Sequence, residues 1–103
     1  MAAKIVVMYG TPTDAATFAR EYADDHVPLA KRLPGLRSFE VSDGPVHTPA
    51  GPAPYASVVI LSYDSLADLQ ASVGSPEGAA TVAHAQRIAT GGVSMYFYES
   101  REV

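Results

Sequence analysis

Residues 4–9 read Lys-Ile-Val-Val-Met-Tyr and end at Gly10, a near-continuous apolar and β-branched run of the kind found in strands buried on both faces. The period then changes. Phe18, Tyr22, His26, Leu29 and Leu33 recur at helical spacing, with Thr11 or Asp14 able to cap and Pro12 tolerated in a first turn. This spacing predicts a helix over residues 14–32. Pro28 falls inside it, removes the hydrogen bond to the Asp24 carbonyl and crowds the preceding turn, so a kink or break is expected between Asp24 and His26. Leu33-Pro34-Gly35 ends the helix. Residues 36–42 then alternate, with Arg37, Phe39 and Val41 on one side and Leu36, Ser38, Glu40 and Ser42 on the other, which predicts a second strand.

Residues 43–54 hold four prolines and two glycines, which argues against both a helix and a ladder and predicts a long, mobile loop. Residues 55–63 form a third predicted strand, with Tyr55, Val59, Leu61 and Tyr63 opposing Ala56, Val58 and Ile60. Ser65 with Asp68 resembles a capping box opening a short helix through Leu66, Leu69 and Val73, which Gly74 ends. Ser75-Pro76-Glu77 supplies a cap, a first-turn proline and an acid for a further helix to about Ala89. Past Gly91-Gly92, residues 93–99 form the last strand, Val93, Met95 and Phe97 against Ser94, Tyr96 and Tyr98. The order is β-α-β-β-α-β with the second helix split. That order predicts an α+β, ferredoxin-like domain, an antiparallel four-stranded sheet with its helices on one face. Because the strands are apolar on both faces, the far side of the sheet needs cover, and a second copy of the chain is the simplest one.

At 103 residues the chain makes a single domain with a modest core. A net charge of -4 without any basic run argues against nucleic acid as a partner. There is no cysteine, hence no disulfide, thiolate nucleophile or zinc finger, and the three histidines lack metal-ligand spacing along the chain. The first ten residues are too briefly apolar for a signal peptide or a membrane span. The expectation is a cytoplasmic protein that uses no membrane, metal or cofactor. Charged residues at 17%, against a typical ~25%, again suit a chain with a second surface to hide.

Tyr9, Pro12, Asp14, Phe18, Tyr22, His26, Pro28, Leu29 and the Leu33-Pro34-Gly35 stop, followed by Ser75-Pro76-Glu77 and Gly91-Gly92, resemble the EthD family pattern in order and spacing over nearly the whole chain. The residues 43–54 loop departs from it. The resemblance implies a dimeric α/β barrel, in which two ferredoxin-like protomers pack sheet against sheet. It also implies an auxiliary or ligand-binding role in small-molecule catabolism, such as ethyl tert-butyl ether degradation beside a cytochrome P450 system. Fungal relatives are associated with dehydratase or decarboxylase steps on aromatic polyketides, and fold alone does not choose among these.

His26 and Tyr22 share a predicted helix face and are the candidate catalytic pair, His26 moving a proton and Tyr22 orienting it or donating to an oxyanion. The plainer alternative is that His26 bonds the freed Asp24 carbonyl and stabilises the kink. Tyr9, Phe18, Tyr63, Tyr96 and Tyr98 are candidate ligand-binding residues around a small apolar or aromatic ligand, or else aromatic packing. Asp24 and Asp25 are expected to face solvent, as are His47 in the loop and His84 on the rim of the last helix. Three functions follow: a homodimeric auxiliary or ligand-binding protein, a cofactor-free cyclase, isomerase, dehydratase or decarboxylase, and a structural dimer.

Overall fold

The computed structural model describes residues 2–103. Strand β1 (Ala2–Tyr9) leads into helix α1 (Ala15–Glu21), a π-helical turn (Tyr22–His26) and the short helix α2 (Val27–Ala30). Then come β2 (Ser38–Val41), two short strands β3 (His47–Thr48) and β4 (Gly51–Pro52), and β5 (Ser57–Tyr63). Helices α3 (Leu66–Val73) and α4 (Pro76–Ile88) precede the last strand β6 (Val93–Ser100). The main sheet has the order β2-β5-β1-β6 with every neighbour antiparallel. This is the ferredoxin-like α+β arrangement read from the sequence. Within one chain the sheet is open, with β2 and β6 as its edges.

Register decides what each face carries. Ile5 pairs with Leu61 and Phe97, Val7 with Val59 and Met95, and Tyr9 with Val93, so these residues share the helix-covered face. The core is built there, with Ala3, Tyr9, Val59, Tyr63 and Leu69 almost wholly buried. The opposite face carries Val6 between Ile60 and Tyr96, and Lys4 between Ser62 and Tyr98. No helix covers it, and Tyr96 is 61% exposed. Lys4 Nζ donates to Ser62 Oγ across it at 3.0 Å.

The caps fall where the side chains predict them. Asp14 accepts from the Thr17 N–H, Ser65 from Asp68 and Ser75 from Gly78, each replacing a bond the first helical turn cannot make internally. Gly35, with φ +77°, makes the reversal after Leu33-Pro34. Gly10 and Gly91 let two chain segments meet, because a Cβ on Gly91 would collide with the Thr11 carbonyl.

One expectation is narrowed and one is corrected. The kink is a widened turn rather than a break, in which the Val27 N–H reaches back five residues to the Tyr22 carbonyl. Pro28 brings no N–H for the Asp24 carbonyl, so the chain moves into the wider register and Pro28 becomes a first-turn residue of α2. The residues 43–54 loop does contain a ladder, where His47 pairs with Pro52 and Thr48 with Gly51. Pro49 occupies the turn, where no N–H is needed, and Thr48 Oγ1 closes it by donating to the Gly51 carbonyl and accepting from the Ala50 N–H.

Candidate functional site

The π-helical turn places Tyr22 and His26 on the inner side of the helical layer, both buried, while Asp24 and Asp25 between them are exposed. A chain of rings results. Tyr9 meets Phe18 edge to face at 5.2 Å between centroids and Tyr22 at 5.8 Å. Phe18 and Tyr22 stack at 5.9 Å, and Tyr22 lies 5.2 Å from His26. Such pairs fix ring orientation as well as burying area.

At the end of the chain of rings, His26 Nδ1 lies 2.9 Å from His84 Nδ1. The two rings are nearly coplanar, 17° apart with centroids separated by 5.1 Å, the geometry of imidazoles joined edge to edge by one N–H···N bond. One nitrogen must donate and the other accept, so the bridge holds a single proton. The Asp24 carbonyl is not His26's partner. Burial first, and then the neighbouring His84, push His26 down to about 4, so it is neutral near pH 7.

Beneath these residues lies a partly open cavity that leaves about 50 Å³ for the centres of water-sized groups. Its walls are overwhelmingly apolar, from Val7, Leu61, Phe39 and Met95 of the sheet to Leu33 and Ala85 of the helical layer. Polar atoms come from few residues, chiefly Tyr9, Tyr22, Tyr63, Thr81 and His26. Desolvation raises Tyr9 to about 12 and drives Tyr22 up as well, so both phenols stay protonated and can donate. Tyr63 is also raised by burial, but its hydroxyl is engaged with Ser72 Oγ at 2.8 Å. Thr81 is engaged too, donating to the Glu77 carbonyl. That leaves the Tyr9 and Tyr22 hydroxyls and His26 Nε2 without a protein partner among the described residues. Since no buried polar side-chain atom is orphaned there, a ligand or water can reach all three.

The candidate residues therefore divide. His26, Tyr22, Tyr9 and Tyr63 line one cavity, and Phe18 stands behind Tyr9 and Tyr22. Tyr96 and Tyr98 do not join them: on β6 they alternate with Met95 and Phe97 and fall on the open face of the sheet. His47 is exposed on β3, as expected. His84, expected at a solvated rim, is only 9% exposed and bonded to His26. It shares an inward stripe of α4 with Thr81, Ala85 and Ile88, a spacing visible in the sequence. Among the described residues no group of three or more His, Cys, Asp or Glu side chains could hold a metal ion, and no helix is long and apolar enough to cross a membrane.

The EthD domain profile matches residues 11–90. An uncharacterized 11.0 kDa protein from the thcB–thcC intergenic region of Rhodococcus erythropolis is 30% identical over 97% of this chain and 96% of that protein. The crystal structure of an ethyl tert-butyl ether D family protein from Bacillus halodurans superposes with a TM-score of 0.88 at 28% identity, covering 98% of this chain and all of the other. A hydroxynitrile lyase from Passiflora edulis shares the fold, with a TM-score of 0.77 at 15% identity over 99% of this chain and 95% of its own. Further structures of this fold, 12–19% identical, are described as dimeric.

Proposed function

Because the chain belongs to the EthD domain family, we propose that it is a homodimeric protein of small-molecule catabolism that binds an uncharged, apolar, oxygen-bearing compound in the cavity beside His26. The carrying observation is the lining: apolar walls with two protonated phenols and a neutral imidazole and no cationic side chain, which selects an uncharged ligand presenting an oxygen acceptor. Size narrows the class further. A cavity of roughly 150 Å³ houses benzene, so the space of about 50 Å³ takes only a small end of the ligand, such as a branched alkyl or carbonyl group, with the remainder in the mouth. An ether of the kind named for the family meets this description if its oxygen lies at Tyr9 or Tyr22. The second copy covers the open face around Val6, Ile60 and Tyr96, and an obligate interface typically buries roughly 2,000 Å² or more.

A second reading is favoured by the His26–His84 bond: proton transfer on the same ligand by His26 as general acid or base, with Tyr22 donating to the developing oxyanion. Titrating the ¹⁵N-labelled protein with a panel of small ethers, ketones and phenols tests the binding proposal. Shifts are expected at Tyr9, Tyr22 and Thr81, and Tyr22→Phe should weaken binding about tenfold, the value of roughly one hydrogen bond. If no member of the panel moves cavity-lining resonances, or if light scattering shows a monomer at micromolar concentration, the proposal is wrong. For the second reading, His26→Ala should lower turnover by about two to four orders of magnitude. An unchanged rate would remove it.

A further inference from the structure

We propose that His26 and His84 form a two-imidazole proton relay between the cavity and the surface of α4, in which passage of a proton exchanges the tautomers of both rings and its return restores them. The inference rests on the second reading above, in which His26 exchanges a proton with the ligand.

The geometry separates the roles of the two rings. His26 lines the cavity, whereas His84 does not. They meet through their Nδ1 atoms at 2.9 Å, near coplanarity, so a proton in the bridge can pass along the N···N line without either ring turning. Both Nε2 atoms lack a protein partner among the described residues, yet no buried polar side-chain atom there is left unsatisfied. Each Nε2 therefore keeps some accessible surface, one on a residue that lines the cavity and the other on a residue outside that lining and 9% exposed. A purely structural bridge needs neither. Of the groups packed around His26, Tyr22 is neutral, and burial first and then the neighbouring His84 disfavour a charge on His26.

The relay balances as follows. The two bridge tautomers interconvert through water in the free protein, and the one that takes a proton from the ligand has His26 Nδ1–H donating to the His84 Nδ1 lone pair, with the one ring proton of His84 on Nε2. A ligand C–H or O–H bond breaks, leaves its electron pair on the ligand and gives its proton to His26 Nε2. The bridge proton crosses to His84 Nδ1, and His84 releases its Nε2 proton to water. Both rings are neutral again with tautomers exchanged. Burial disfavours an imidazolium at His26, which drives the proton onward. On reversal His84 Nε2 takes a proton from water, the bridge proton returns to His26 Nδ1 and the proton held on His26 Nε2 passes to another ligand atom, restoring both tautomers, so the reaction class is an acid–base isomerisation or elimination in which the moved hydrogen is retained.

Histidine-selective ¹H–¹⁵N spectra of the ligand-free protein at pH 7 test the relay. Both histidines should show ring-nitrogen shifts between those of the two pure tautomers. In His84→Asn, which can bond His26 but cannot pass a proton through, exchange of the His26 ring N–H with water should slow about tenfold or more. A single fixed tautomer for both residues in the native protein overturns the relay, as does unchanged exchange in the variant. If His84→Asn fails to fold, the native tautomers decide alone. No ligand is needed, so failure here is distinct from failure of the binding proposal, which the titration reads.

Discussion

His26 makes stability depend on pH in a window where few other groups titrate. Its value falls from an ordinary 6.5 to about 4 in the folded chain. Between those values the unfolded chain takes up a proton that the folded chain refuses. Unfolding therefore gains a proton, and stability rises with pH across the window and is lost as pH drops toward 4. At roughly 1.4 kcal/mol per pH unit the ceiling is ~3 kcal/mol, against a total of roughly 5–15 kcal/mol for a typical domain. Asp14, held low chiefly by the Thr17 N–H, and Asp64, held low by its bond to Arg37, lose their contributions only below the ordinary carboxylate value. They lie outside the window. Urea unfolding at fixed protein concentration, from pH 7 down to pH 4.5, compares the native chain with His26→Gln. The native chain should lose ~2 kcal/mol more than the variant over this range, short of the ceiling because the scan stops above the folded value. Parallel profiles would show that His26 takes up its proton equally in both states, and the assignment of a neutral, proton-refusing His26 would be wrong.

Ser72→Ala removes the 2.8 Å partner of the buried Tyr63 hydroxyl and should cost ~1–3 kcal/mol in chemical denaturation; unchanged stability would mean that the hydroxyl finds water. Gly91→Ala drives a Cβ into the Thr11 carbonyl and should destabilise by more than ~2 kcal/mol, read as a lowered Tm, whereas a native Tm would show that the two segments part freely. Ile60→Lys places a charge at the centre of the open face between Val6 and Glu40 and should leave a folded monomer by light scattering and circular dichroism. A surviving dimer would put the interface elsewhere.

The architecture was legible because hydrophobic period, caps and stops agree with one another. Continuous apolar runs at β1 and β5, the Ser65 and Ser75 caps and the Gly91-Gly92 stop each point to one element, and their order leaves the ferredoxin-like sheet. What pattern alone could not resolve is the consequence of a local exception. Pro28 announces a disturbance, but whether the chain breaks or widens depends on whether the Val27 N–H can reach the Tyr22 carbonyl, which packing of Tyr22 and His26 against the sheet decides. The small ladder at Thr48 and Gly51 escaped for the converse reason: prolines there occupy positions where no N–H is required.

The candidate site was half legible, and the missing half was a residue of α4. Tyr22 and His26 stand four apart in one helical stretch, so local spacing announces them together. His84 is 58 residues away from His26, and no local spacing connects the two. The sequence reading put it on a solvated rim, although the periodicity of α4 could have turned it inward: Thr81, His84, Ala85 and Ile88 form one inward stripe, and a histidine on such a stripe must find a partner or be neutral. The sheet order then brings α4 over the π-helical turn, both crossovers lying on one face. A buried histidine on each of two helices covering the same sheet face is thus enough to anticipate the pair, and with it a polar link between the π-helical turn and α4.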